Sequence, residues 1–179
     1  LTVAKELENL GAHAIVLSGG FVSKAPMYVM RGEMPIYTMT HYMKQLWLKY
    51  GVRLVGKYMV PNEPFKELYF LDDARRFRSE LKCPLVYVGG AVSREGIDKV
   101  LDEEGFEFVQ MGRALINDPE FVNHLRQGAE RCDCDHVNYC IARMYSEDMA
   151  CHKHLCNLPP KILKEIEQIK RRDEQQNRR

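Results

Sequence analysis

Apolar positions fall into short bursts separated by polar, glycine-rich punctuation. Val3, Leu7 and Leu10 lie at helical spacing, Gly11 ends the run, and AHAIVLSGG follows as a buried strand. The next stretch, GGFVSKAPMYVMRGEMP, is rich in Met, Tyr, Gly and Pro and has no period, the mark of a long loop over a site. A helix is predicted through THYMKQLWLKYG, then a strand through VRLVGKYMV closed by Pro61 and Pro64. Leu71, Ala74, Phe77 and Leu81 put one apolar face on a helix whose other face carries arginines. LVYVGG is a short strand, and Ser93 caps a helix that Gly105 ends. FEFVQMG is the next strand, and Asp118 and Pro119 open a helix that stops at Gly128.

Short strands alternating with helices predict an α/β fold with a parallel sheet and crossover helices. Beyond Arg131 the alternation gives way to a Cys- and His-rich segment. Pro159-Pro160 then sets off a terminal helix with Ile162, Ile166 and Ile169 on one face and a basic, polar tail. Three parts follow: 1–131, a sheet-and-helix part; 132–158, the Cys/His segment; and 159–179, the helix and tail. The first part starts within a helix–strand unit and reads as the C-terminal portion of something longer.

Composition narrows the function classes. The chain has 179 residues, 45% of them hydrophobic and 28% charged, with a net charge of +1. No global field points to nucleic acid, and no apolar run approaches the roughly 20 residues of a membrane span. Five of the six cysteines crowd between Cys132 and Cys156. A secreted disulfide scaffold spreads its cysteines, so the expectation is a reducing, cytoplasmic setting. The tail offers nucleic acid no stacking platform and interleaves Glu165, Glu167, Asp173 and Glu174 with its cations.

The chemistry lies at the strand ends. Three strands run into small residues: Ser18-Gly19, Gly89-Gly90-Ala91 and Gly112-Arg113. In parallel α/β folds the strand C-termini share one face, where ligands bind. Glycine lets backbone amides approach an anion, a helix opening at RALI adds its dipole, and Arg113 adds a forked cation. Together they describe a phosphate pocket. The same glycines also serve ordinary turns, and the phosphate compound stays open at this level.

The segment PLVYVGGAVSREGIDKVLDEEGFEFVQMGRALINDPEF resembles the last two barrel strands of the old yellow enzyme family of NAD(P)H:flavin oxidoreductases, and LGAHAIVLSGGFVSKAPMYVMRG resembles its sixth-strand region. The resemblance runs from about Leu1 to Arg126 and implies the C-terminal half of a (β/α)8 TIM barrel. It implies FMN as cofactor and NAD(P)H as hydride donor. The acceptor would be an electron-poor small molecule such as an α,β-unsaturated carbonyl. Gly89, Gly90, Ala91, Gly112 and Arg113 would hold the FMN phosphate, with Ser18 and Gly19 beside the flavin ring. Tyr28 and Met30 would edge the substrate cavity or simply pack. The family's catalytic groups come largely from earlier strands, so the catalytic residues stay unassigned, and Tyr37, His41 and Tyr42 are read as surface or packing residues. A partial barrel leaves sheet edges uncovered. The isolated chain is therefore expected to bind FMN weakly and to need an N-terminal half or a second copy to cover those edges.

Some relatives in that family carry an iron–sulfur cluster on a C-x2-C-x3-C motif, but here Val137 stands where the middle cysteine belongs. Zinc would draw on Cys134, His136, Cys140 and Cys151. The order of preference is a remnant loop with reduced thiols, then zinc, then iron–sulfur. Two rival functions stand beside the flavin enzyme: another phosphate-binding barrel enzyme, and a non-enzymatic module with structural zinc.

Overall fold

The computed structural model describes residues 1–19, 31–59, 62–143 and 147–177. The segment around Tyr28 and Met30 lies outside the described residues. The chain divides into two compact units. One comprises the described parts of Leu1–Val29 and Lys66–Asp133, the other those of Met30–Phe65 and Cys134–Arg179. The described residues of 31–65, grouped with the sheet by sequence order, fall in the same unit as the Cys/His segment and the terminal helix.

The first unit is built on three parallel strands in the order β1 (Ile15–Leu17), β2 (Leu85–Val88), β3 (Phe108–Gln110). Its helices are α1 (Thr2–Asn9), α4 (Leu71–Arg78), α5 (Arg94–Asp98), α6 (Arg113–Asn117) and α7 (Phe121–Arg126); α5 runs on through a π-helical turn at Lys99–Glu103. The alternation of a pleated strand sorts the side chains. Leu85 and Tyr87 are fully buried, packed with Phe70, Leu71, Ala74, Leu81, Val100 and Phe106. Their neighbours in register, Ile15, Leu17 and Val109, join the same core. On the opposite face Val16, Val86 and Phe108 form one cross-strand row, with Val16 48% and Phe108 57% exposed and Val86 half-buried.

Several local expectations appear with their causes. Ser93 Oγ accepts from the Gly96 amide at 3.0 Å and starts α5. Asp118 does not cap α7 as expected: the helix starts at Phe121 with Glu120 as its N-cap, and the Asp118 carboxylate instead accepts from the Glu120 amide at 3.1 Å in the preceding turn. α1 differs. Its periodic residues Val3, Leu7 and Leu10 are exposed, and Ala4 is the residue it buries. Leu1, Val3, Leu7, Val16, Phe70 and Phe77 instead line an apolar hollow of about 390 Å³ beside β1.

The second unit is helical: α2 (Ile36–His41), α3 (Leu46–Met59), α8 (Tyr139–Arg143) and α9 (Pro160–Asn177), with a short 3-10 turn at His152–His154. Ile162, Ile166 and Ile169 of α9 are buried with Val137 and Tyr139. The strand expected at 52–60 is the second half of α3. Leu46, Tyr50, Leu54 and Tyr58 recur every four residues across the presumed boundary, so one helix accommodates both segments, and Gly56 packs on Ile36 of α2. That periodic face of α3 points outward, with Leu54 78% and Tyr58 92% exposed. No helix among the described residues is long and apolar enough to cross a membrane.

Candidate functional site

The parallel register decides where the strand ends fall. Leu17 pairs with Tyr87, and Val88 pairs with Gln110. Ser18-Gly19, Gly89-Gly90 and Met111-Gly112 therefore leave the sheet at one end and at neighbouring positions. The first unit brings all seven sequence-predicted cofactor residues, Ser18, Gly19, Gly89, Gly90, Ala91, Gly112 and Arg113, to that end.

Their local roles differ. Gly89 and Gly90 have φ of +150° and +79°, backbone that side chains with a Cβ rarely adopt, so the bend after β2 requires glycine. A Cβ on Gly89 would also meet the Tyr87 hydroxyl at 2.9 Å and Phe70 Cβ at 3.0 Å. Tyr87 donates to the Gly89 carbonyl at 2.8 Å, and burial pushes its phenol well above the usual tyrosine range. A Cβ on Gly19 would lie 2.6 Å from the Phe70 ring. The Phe70 ring thus sits against the ends of both β1 and β2, and at Gly19 the lack of a side chain serves packing. Gly112 is the contrast. Open space surrounds the position of its missing Cβ, and it caps α6, whose first residue is Arg113.

The bend is held from outside by a residue the sequence patterns did not single out. Glu67 Oε1 accepts from the Ser93 amide at 2.9 Å, Ser93 Oγ at 2.7 Å and, more weakly, the Val92 amide at 3.3 Å. Its Oε2 accepts from Arg131 at 2.9 Å. Nothing in FKELYF signals this, because a lone Glu before a helix reads as solvated surface.

The second unit carries the candidate metal ligands. Cys140 and Cys151 are buried and Cys134 is partly so. The His136 ring stacks on Phe65 with centroids 3.5 Å apart. Among the described residues no group of three or more His, Cys, Asp or Glu side chains is placed to hold a metal ion, so Cys134, His136, Cys140 and Cys151 do not converge. Tyr42 shares a 3.1 Å hydrogen bond with Tyr139, and Arg53 lies over the Tyr37 ring at 4.5 Å. Burial, with the Tyr42 hydroxyl beside it, pushes Tyr139 up to about 12.

Charge in this unit concentrates around α9. Asp135 accepts from His152 at 2.9 Å and pairs with Lys170 at 2.6 Å. Burial alone would raise its carboxyl, but those hydrogen bonds and charges outweigh it and hold Asp135 well below the usual carboxylate range. Asp173 goes the other way, raised to about 6 by burial and then by the nearby Glu33 carboxylate. With Pro64, Phe65, Asp135, His136 and Gln176 it lines a hollow of about 80 Å³.

No protein-family model matches the chain, and no solved structure matches it significantly. Among curated proteins it is similar to the 4,4'-dithiodibutanoate disulfide reductase of Rhodococcus erythropolis. The two are 39% identical over 150 residues, which is 82% of this chain and 36% of the relative. The chain thus spans about a third of the length of the curated relative it matches.

Proposed function

We propose that the first unit is the phosphate-holding end of an FMN-dependent oxidoreductase that takes hydride from NAD(P)H. The observation that carries it is the side-by-side placement of two turns at one end of the sheet: the glycine-only bend after β2, and Gly112-Arg113 opening α6 after β3. The residues fit the group. Gly89 and Gly90 take backbone angles that glycine allows, Gly112 leaves the position of its missing Cβ open, and Arg113 would bring a guanidinium suited to phosphate.

When bound, FMN supplies the redox chemistry, moving hydride between NAD(P)H and an electron-poor acceptor. The chain's own residues anchor and orient. Backbone amides of the two turns and the Arg113 guanidinium would hold the phosphate, and Phe70 and Tyr87, packed on Gly89, would keep the bend rigid. No residue of this chain is assigned a proton transfer. The name of the Rhodococcus relative adds an organic disulfide to the acceptor classes, beside an alkene conjugated to a carbonyl. The balanced reduction is RSSR + NAD(P)H + H⁺ → 2 RSH + NAD(P)⁺. On this reading the row Val16, Val86 and Phe108 faces a barrel interior. The edge of β1, unpaired among the described residues, then pairs with further β/α units.

Amide NMR of the chain titrated with FMN tests the proposal even where binding is weak. Shifts are expected at Gly89–Ala91 and Gly112–Arg113. Riboflavin, lacking the phosphate, should not reproduce them. Arg113→Ala should weaken FMN by at least about tenfold, or ~1.4 kcal/mol. Shifts elsewhere, or equal response to riboflavin, would defeat it.

A further inference from the structure

We infer that Glu67 is a positioning residue for the anion-binding bend, an inference that rests on the phosphate reading above. Its carboxylate stands 25 and 26 residues from the Val92 and Ser93 amides it accepts, so it ties the entry to α4 onto the exit of β2. The other side of the same segment is held by backbone. The Arg94 amide donates to Glu130 O at 2.8 Å, and the Cys132 amide donates to Val92 O at 2.9 Å. Arg131, which bridges to Ser93, sends its guanidinium to the second oxygen of Glu67. The Leu68 amide reaches the Gly90 carbonyl at 3.4 Å. Residues 90–94 are therefore fixed from two directions, and the Glu67 side chain, with Arg131 paired to it, joins both.

Gly96 supplies an independent sign that this contact is built in. A Cβ there would lie 2.6 Å from Glu67 Oε1, so the first turn of α5 leaves room for the carboxylate. The electrostatics then assign the anion's place. The start of α5 already holds an internal carboxylate, the group that helix amides favour. An incoming phosphate is kept from Ser93 and directed to the strand side of the bend, toward Gly89–Ala91 and Gly112–Arg113. Glu67 acts through the bend and not by touching the ligand.

The test compares the full chain with Glu67→Gln and Glu67→Ala, using amide hydrogen exchange and NMR titration with FMN and with inorganic phosphate. In Glu67→Ala, exchange at Val92 and Ser93 should rise about 10- to 100-fold while Tyr87 and Val88 stay protected. FMN affinity should fall at least about tenfold, and Glu67→Gln, which keeps an acceptor oxygen, should recover part of it. If the wild-type chain shows no FMN shifts, the flavin reading falls and this inference falls with it. If wild type responds and Glu67→Ala binds FMN equally well, the flavin reading stands and the role of Glu67 is overturned. Unchanged exchange at Val92 and Ser93 overturns it too. Phosphate shifts that appear at Ser93 and Gly96 in Glu67→Ala, with FMN affinity lowered, bear it out, because the carboxylate then keeps the anion off the start of α5.

Discussion

Replacing Asp173 with Asn should stabilise the helical unit at neutral pH and do nothing in mild acid. Asp173 lies on α9 beside a small hollow, with Asp135 and His136 lining the same space. Burial, and then the Glu33 carboxylate, raise its pKa to about 6, against the pull of Arg172, which itself pairs with Glu33 at 2.7 Å. An acid whose folded pKa is raised stabilises the fold when protonated. That contribution is complete below the unfolded value near 3.9 and is lost as pH rises through about 6. The shift is about two units at ~1.4 kcal/mol each, so about 3 kcal/mol is the ceiling. Partial exposure and salt screening reduce this to about 1–2 kcal/mol at pH 7. Asn removes the charge at every pH, so its advantage over Asp should be about 1–2 kcal/mol at pH 7, several degrees in Tm for a unit of this size, and near zero at pH 4. Asp135 titrates in the opposite sense and weakens both proteins alike in acid, so it cancels in the difference. Urea melts at pH 4, 5.5 and 7, read by the fluorescence of the single tryptophan, Trp47 on α3, measure it in the right unit. A constant difference across that range, or a loss of stability at pH 7, would refute the argument and show that packing governs Asp173.

Other positions give sharper contrasts. Gly90→Ala must adopt φ near +79° with a Cβ, so it should cost about 1–2 kcal/mol in a denaturant melt and also weaken FMN shifts in the NMR titration. Glu165→Ala strands the Tyr37 and Thr38 amides and the Thr38 hydroxyl at the start of α2; a loss of about 2–3 kcal/mol is expected by Trp47 fluorescence, with Glu165→Gln in between. Leu85→Ala, at a position with no exposure, should cost about 2–5 kcal/mol, whereas Leu54→Ala on the outward face of α3 should stay within about 0.5 kcal/mol, both by urea unfolding.

What the chain order reveals is set by the range of the interaction that fixes each feature. Ser93 and Gly96 lie three residues apart, and Ile162, Ile166 and Ile169 share one helix face, so a cap and a buried stripe can be read directly from spacing. The glycines after β2 are legible for the same reason, since a left-handed bend is a local property of the backbone. The strand expected at 52–60 fails because β-branched content outweighed a four-residue recurrence that begins at Leu46, outside the window. The deeper omission concerns glutamates. Glu8 accepts the Lys82 and Cys83 amides, Glu107 the Leu85 amide, Glu67 those of Val92 and Ser93, and Glu165 those of Tyr37 and Thr38. Each reaches across at least 22 residues to satisfy amides at the start of a strand or helix, a debt that no local pattern records. In sequence these four are indistinguishable from solvated surface charge. In the fold they decide where the chain's own carboxylates stand, and therefore which helix and strand ends are left for a foreign anion. By that criterion the start of α5 is taken by Glu67, and on the proposed flavin reading the open space over Gly112 is left for the phosphate.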